Sequence, residues 1–354
     1  MIRPFQPGDF YLIQRLSRQA MLLPCARNFL QPTSSLSLAL STVAPWVTVR
    51  ATTYVLRQHG HGLVHEGFLQ MLRRANRPEA EILCLAPSLD APTGHPAIWN
   101  KLLSHLSHEV SSLGVNRIYA EVPDQPLLVN TFAAVGFQPF CRQTVWRCFE
   151  PAAALRSVHS AGIDVLPRTA ADDLDLQRLY AATVPEPVQL AEGAIGEPDA
   201  TAPIVENLRP DQGSAYVVRS ADGLLGAFQV QVGQHGAWLQ LWCDTLQPDA
   251  QPLRLLIDHA LKLGAAQRWP TPLYIASSDF HGGLDSLLEE VGFAPFRDRV
   301  RMVKHVVKWV RESVLSLLPV VEPTSEVVPT SFAPPGAVSA ALQPSVPIDS
   351  GSTA

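Results

Sequence analysis

Apolar and polar positions along the chain repeat with two periods, and the order of those periods sketches the elements. Ile2 to Phe5 reads as a short strand, and Asp9 can cap a helix that runs to about Ala20. Val47 to Arg57 alternates and is rich in Val and Thr. Gln58-His59-Gly60-His61-Gly62 then turns the chain, and Leu63 to Leu72 returns it as the second arm of a hairpin. Glu81 to Ala86 is a more continuously apolar strand. Pro96 opens a helix that reaches about Ser112, since proline suits the first helical position. Arg117 to Val122 returns to strand, Asp124 and Pro126 start another helix, and Arg142 to Phe149 forms a last strand.

Much of this order occurs a second time. Ile163 to Leu166, Ala171 to Ala182, Ala215 to Arg219, Leu225 to Val232, Trp238 to Cys243, Leu253 to Leu263, Leu273 to Ala276, Leu284 to Glu290 and Val300 to Val307 follow the same sequence of periods, with Asp222-Gly223 as a hairpin signal. Short matching words anchor the two halves. Val135-Gly136-Phe137-Gln138-Pro139-Phe140 matches Val291-Gly292-Phe293-Ala294-Pro295-Phe296, and Gln14-Arg15-Leu16 matches Gln177-Arg178-Leu179. A Leu-Leu pair lies in the long helix of each half, at Leu102-Leu103 and at Leu255-Leu256, and each helix ends near a glycine, Gly114 and Gly264. Four features in one order indicate a tandem duplication of a single domain type. Strands in runs with inserted helices place it in the α+β, or mixed α/β, class.

Composition refines the boundaries. The chain has 354 residues, 47% hydrophobic and 17% charged, with 31 prolines and a net charge of −5. That is enough chain for two bodies of roughly 150 residues. Residues 1–150 and 162–312 are expected to be the two domains, with 151–161 as a linker and a closing helix at Trp309 to Leu318. From Pro319 to Ala354 there are seven prolines and only Glu322, Glu326 and Asp349 as charges, without either period, so a disordered tail is expected there. The slight acidity argues against a nucleic-acid partner. No run of 18 uncharged apolar residues appears, so no membrane partner is expected. With no secretory leader pattern, a cytoplasmic location is expected. Five scattered cysteines without a Cys-x-x-Cys pair read as buried small hydrophobes.

The order of elements, with Gly-Phe after the last helix of each half, is similar to the Gcn5-related N-acetyltransferase (GNAT) fold. Leu102-Leu103 through Gly114 to Val122, with Glu121-Val122 on the strand, resembles that family's helix, glycine and strand. Val135-Gly136-Phe137 and Val291-Gly292-Phe293 resemble its closing motif. The resemblance covers nearly the whole chain, from Ile2 to Phe149 and from Gly162 to Lys308. It implies two GNAT-like domains, each a mixed central sheet flanked by helices. It also implies acetyl-CoA as co-substrate and an amine, of a small molecule or a peptide, as the acceptor of the acetyl group.

Both halves depart from the family pattern where the cofactor is held. The loop before the Leu-Leu helix should read Arg/Gln-x-x-Gly-x-Gly/Ala, so that small residues let backbone N–H groups close on a pyrophosphate. In the first half those small positions fall on Ala97 and Trp99, a Trp that is expected to obstruct the phosphate, and Pro96 removes a donor. The nearest substitute is Thr93-Gly94-His95. In the second half Asp249 precedes the helix, and Arg254 is the cation within reach. The family's leaving-group Tyr is replaced by Phe132 and Leu288. Glu121 stands where the family has a strand Glu, and Glu81 lies on the preceding strand, so either is a candidate general base acting through a water. Two readings remain open: an acetyltransferase using Glu121 or Glu81 with acetyl-CoA held near Thr93, Gly94, His95 and Arg254, and a non-catalytic tandem protein that binds a ligand or partner. His59, His61 and His65 read as a solvated turn, so no metal is expected.

Overall fold

The computed structural model describes residues 1–43, 51–60, 63–74, 77–151, 162–196, 200–206, 213–221, 223–243 and 251–306. Nearly all of the expected linker, the helix at 309–318 and the tail at 319–354 lie outside the described residues, as does His61. Met1–Lys308 forms one compact unit.

The first half runs β1 (Ile2–Pro4), α1 (Phe10–Ser17), β2 (Met21–Leu22), α2 (Ala26–Leu30), α3 (Ser35–Val43), β3 (Ala51–Gly60), β4 (Leu63–Arg73), β5 (Glu79–Ala86), α4 (Pro96–Ser112), β6 (Arg117–Pro123), α5 (Pro126–Ala133) and β7 (Gln138–Cys148). The second runs β8 (Asp164–Pro167), α6 (Asp173–Thr183), α7 (Glu186–Ala191), α8 (Pro203–Glu206), β9 (Ser214–Ser220), β10 (Gly223–Gly233), β11 (Gly236–Cys243), α9 (Gln251–Gln267), β12 (Leu273–Ser278), α10 (Leu284–Glu290) and β13 (Ala294–His305). The expected α+β architecture, a mixed sheet flanked by helices in two similar halves, is present. Its repeated words have physical causes. Gly136 and Gly292 close α5 and α10 at φ +89° and +91°, where a side chain is disfavoured. Phe137 and Phe293 follow at once and are buried in the two helix-side cores. At the other end of each half, Asp9 and Asp172 accept backbone N–H bonds from Gln6 and Thr169 and so fix the turn into the first helix.

The halves do not form two separate sheets. The strands make one sheet in the order β1-β3-β4-β5-β6-β13-β7-β12-β11-β10-β9-β8, with β2 on the side of β5. β13 of the second half lies between β6 and β7 of the first, and β7 lies between β13 and β12. Each half therefore places its last strand inside the other. Gln143 and Arg299, which differ by the 156-residue offset of the repeat, pair directly with each other and mark the centre of a pseudo-twofold relation. Alternation along these strands separates two layers. Val300 and Met302 join Ile82, Ile118, Leu102 and Phe132 under α4 and α5, and Trp146 joins Leu239, Leu256 and Leu287 under α9 and α10. The opposite face packs Phe68 and Leu83 on α1 and α3, and Val217 and Trp242 on α6 to α8.

Candidate functional site

Among the described residues each half contains one parallel strand pair, and each pair separates soon after it forms. β5 and β6 pair only at Glu79–Glu81 against Arg117–Tyr119, although β5 continues to Ala86 and β6 to Pro123. β11 and β12 pair at Ala237–Leu239 against Leu273–Ile275, then continue to Cys243 and Ser278. Both openings lie at the carboxyl ends of parallel strands, and α4 and α9 follow β5 and β11. Crevices at such ends are where open α/β sheets take ligands.

The first opening holds part of the chain itself. β4 covers one edge of β5 as far as Ala86. β2 pairs with β5 at Met21–Leu85 and Leu22–Cys84, which places it on the other edge, inside the opening. Leu23 N–H donates to Leu83 O at 2.9 Å, and Leu83 is the bulged residue of β5. Asn28 Nδ2 clamps the insertion, donating to Leu23 O at 2.8 Å and Leu83 O at 2.9 Å. Arg299 Nη1 donates to Pro24 O at 2.5 Å. Leu23 and Cys25 are fully buried. At the outer end, Met21, Leu22, Pro123, Asp124, Gln125, Arg297 and Asp298 line a cleft of about 380 Å³.

Thr93, Gly94 and His95 sit beside this filled opening and are engaged in local hydrogen bonds. Thr93 Oγ1 donates to Gln19 Oε1 at 2.9 Å, and Gly94 N–H to Ala91 O at 2.7 Å. His95 Nδ1 accepts Ala97 N–H at 3.1 Å, and Ile98 N–H donates to His95 O at 2.9 Å, so the first turn of α4 is capped from within. Gly94 is a close-approach position, since a Cβ there would lie 2.0 Å from Ser88 O. Trp99 does not face a phosphate position. It is buried in the core and donates Nε1–H to Pro87 O at 2.7 Å.

Glu81 and Glu121 come together in a buried ionic layer on the α2 and α7 side of the sheet. Glu121 accepts from Arg299, with Arg301 Nε 3.8 Å away. Arg299 also donates to Gln143 Oε1 at 2.7 Å from Nη2. Glu79 pairs with Arg74 at 2.9 Å, Arg77 at 3.2 Å and Arg117 at 3.5 Å. Glu192, from the second half, receives Arg301 at 2.6 Å and the Tyr180 hydroxyl at 2.5 Å. Tyr119 donates to Ala191 O at 2.9 Å. Burial pushes the Glu81 carboxyl up, against Arg74 and with Glu121. Burial also works against the Arg301 charge, but Glu192 and Glu121 outweigh it and hold that guanidinium protonated. Both predicted carboxylates thus belong to a network that joins the two halves.

The second opening has different chemistry. Ala276 opposite Val145 stands where Glu121 stands opposite Arg301, and Ser277 opposite Thr144 stands where Val122 stands opposite Val300. Ser277 is buried, and its Oγ has no hydrogen-bond partner. Sequence reasoning passed over it; the available signal was a serine pair ending an otherwise apolar strand, Leu273 to Ser278. At the end of β12, Ser278 N–H donates to His281 Nδ1 at 3.2 Å. Burial lowers the His281 pKa to about 4, against the pull of Asp285 and Asp279, so its imidazole is neutral at pH 7. Arg254 pairs with Glu290 across α9 and α10, and so is not brought near Thr93, Gly94 and His95. Residues 244–250, with Asp249, lie outside the described residues.

Among the described residues no group of three His, Cys, Asp or Glu could hold a metal ion, and no helix is long and apolar enough to cross a membrane. No family model matches the chain, and no curated protein matches it. Solved structures do. A conserved protein of unknown function from Staphylococcus epidermidis is similar at TM-score 0.50 and 9% identity, over 72% of this chain and 95% of its own. A tandem GNAT protein from the clavulanic acid biosynthesis pathway is similar at TM-score 0.49 and 13% identity, over 87% and 98% of the two chains. A GCN5-related N-acetyltransferase from Sphaerobacter thermophilus is similar at TM-score 0.49 and 12% identity, over 86% and 95%. At these identities the likeness is one of fold.

Proposed function

We propose that this chain, a tandem of two GNAT-like folds, moves an acetyl group from acetyl-CoA to the amine of a small molecule or peptide. The observation that carries the reading is the parallel pair that opens at its carboxyl ends beside a long helix. Acetyl-CoA has an anionic head and a narrow, extended arm bearing two amides, and an open strand edge offers that arm backbone partners. The neutral amine attacks the thioester carbonyl carbon, a C–N bond forms as the C–S bond breaks, and the departing thiolate takes up the proton shed by the new amide nitrogen. Strand N–H groups at the open edge polarise the carbonyl as negative charge develops on its oxygen. Glu121 and Glu81 serve the joint between halves in this reading rather than proton transfer, because Arg299 and Arg301 engage Glu121 and the layer is buried.

That same engagement favours a second reading, a non-catalytic tandem protein that binds a ligand or partner. Thermal melting with acetyl-CoA separates the two. A ligand that binds only the folded state stabilises it by about 2.7 kcal/mol at a hundredfold excess over Kd, so a raised Tm is expected, together with release of free CoA thiol in the presence of an amine panel. An unchanged Tm at millimolar acetyl-CoA selects the second reading. Glu121→Gln is expected to lower Tm while retaining turnover; loss of turnover at unchanged Tm would return Glu121 to the role of base.

A further inference from the structure

The geometry points to a binding function independent of acetyl transfer: the cleft between β2, the end of β6 and β13 takes one free α-amino acid with an apolar side chain, as its zwitterion. β2 pairs with β5, on one edge. Leu23 N–H donates to Leu83 O on β5, and alternation then turns the N–H and C=O of Leu22 the other way, toward the cleft that Leu22 lines. This open edge is one residue long. Pro24 has no N–H and its carbonyl is taken by Arg299, and on the other side Ala20 N–H is bonded to Ser17 O. A residue laid antiparallel against Leu22 exchanges two hydrogen bonds with it, donating an N–H to Leu22 O and accepting Leu22 N–H on its own carbonyl oxygen. A single amino acid carries that donor and that acceptor as its ammonium and its carboxylate.

The charges of the lining suit the same molecule. Asp124 is paired with Arg142, which leaves one carboxylate, Asp298, and one guanidinium, Arg297. Neither makes an ion pair among the described residues. Arg297 lies over the Phe296 ring, 5.6 Å from its centroid, and Asp298 accepts the Thr144 hydroxyl at 2.8 Å through Oδ1. A ligand with one charge of each sign can meet both, whereas a plain anion or a plain cation meets one of them unfavourably. Met21, Leu22 and Pro123 supply apolar surface for a side chain, and about 380 Å³ lies at the small end of the range for ligand pockets.

Calorimetric titration of the full chain with L-leucine, in the absence of acetyl-CoA, tests the assignment, and saturable binding of one molecule per chain is expected. L-leucinamide, which lacks the carboxylate, and N-acetyl-L-leucine, which lacks the ammonium, are each expected to bind about tenfold more weakly, the loss of one charge-assisted contact. Arg297→Gln is expected to abolish the preference for leucine over leucinamide. Asp298→Asn, whose side-chain oxygen can still accept from Thr144, is expected to abolish the preference over N-acetyl-leucine. Both side chains are exposed, so Tm of the free protein is expected to be unchanged in either variant. No binding of leucine at millimolar concentration, equal binding of the three compounds, or preferences that survive both substitutions overturns the assignment. With no acyl-CoA present, none of these results bears on acetyl transfer, which the melt with acetyl-CoA tests separately.

Discussion

At the scale of single residues, the polar groups of this protein divide by whether their partners are complete. Arg299 is 3% exposed and satisfied by Glu121, Gln143 and Pro24, so the cost of burying it is met by geometry drawn from three elements. Burial lowers its pKa against the pull of Glu121. Arg299→Met, which leaves Glu121 beside Glu81 with only the more distant Arg301, is expected to destabilise by about 3 kcal/mol in denaturant melts. His281 gives the protein a pH dependence of known sign. The unfolded imidazole takes its proton near 6.5 and the folded one only near 4. Stability from the neutral ring is therefore complete above pH 6.5 and is lost as pH falls toward 4, by up to about 3 kcal/mol. His281→Asn, whose side-chain oxygen can still accept from Ser278 N–H, is expected to flatten the curve of Tm against pH across that window. An unaltered slope would place the titration elsewhere.

Among the elements, β2 decides most although it is the shortest. Two paired residues could not persist as an isolated strand. They persist here because Asn28 binds the insertion and β5 at once, and because Leu23 buries its side chain in the core with Leu85, Ile98 and Leu102. Asn28→Ala removes donors from two carbonyls, and a loss of about 2 kcal/mol is expected. Hydrogen exchange is expected to localise that loss, with the Leu23 amide released before those of β4. α4 shows the same inward commitment. His95 and the proline at its first position consume or remove the N–H groups that a ligand would use at a helix start. The long helices and the Gly-Phe closures were legible in the sequence because period, proline and glycine act locally. β2 was not, since Met21-Leu22 carries no period of its own and pairs with residues some sixty positions away.

For the whole molecule, the exchange of β7 and β13 makes the two halves one folding unit. Without β13, β6 and β7 lose the strand between them, and Val300 and Met302 leave the core under α4 and α5. A fragment of residues 1–150 is thus expected to be unfolded or to pair with a second copy, and co-expression with residues 162–306 to restore a 1:1 monomeric complex, as read by light scattering. A monomeric, cooperatively melting 1–150 fragment would contradict the interlock. The ionic layer of Glu79, Glu121, Glu192, Arg299 and Arg301 lies at this junction and ties the two halves together.

The sequence by itself determined the class of fold, the duplication, the long helices and the closing glycines, because these depend on residues within a few positions of one another. Tertiary structure alone decided that residues 21–25 enter the opening between β5 and β6, and where Glu81, Glu121, Trp99 and Ser277 come to lie. Each of those outcomes depends on contacts made across the sheet. Strand Glu121 reads as a base until Arg299, 178 residues later, is placed against it, and Ser277 reads as an ordinary strand end until burial leaves its hydroxyl without a partner.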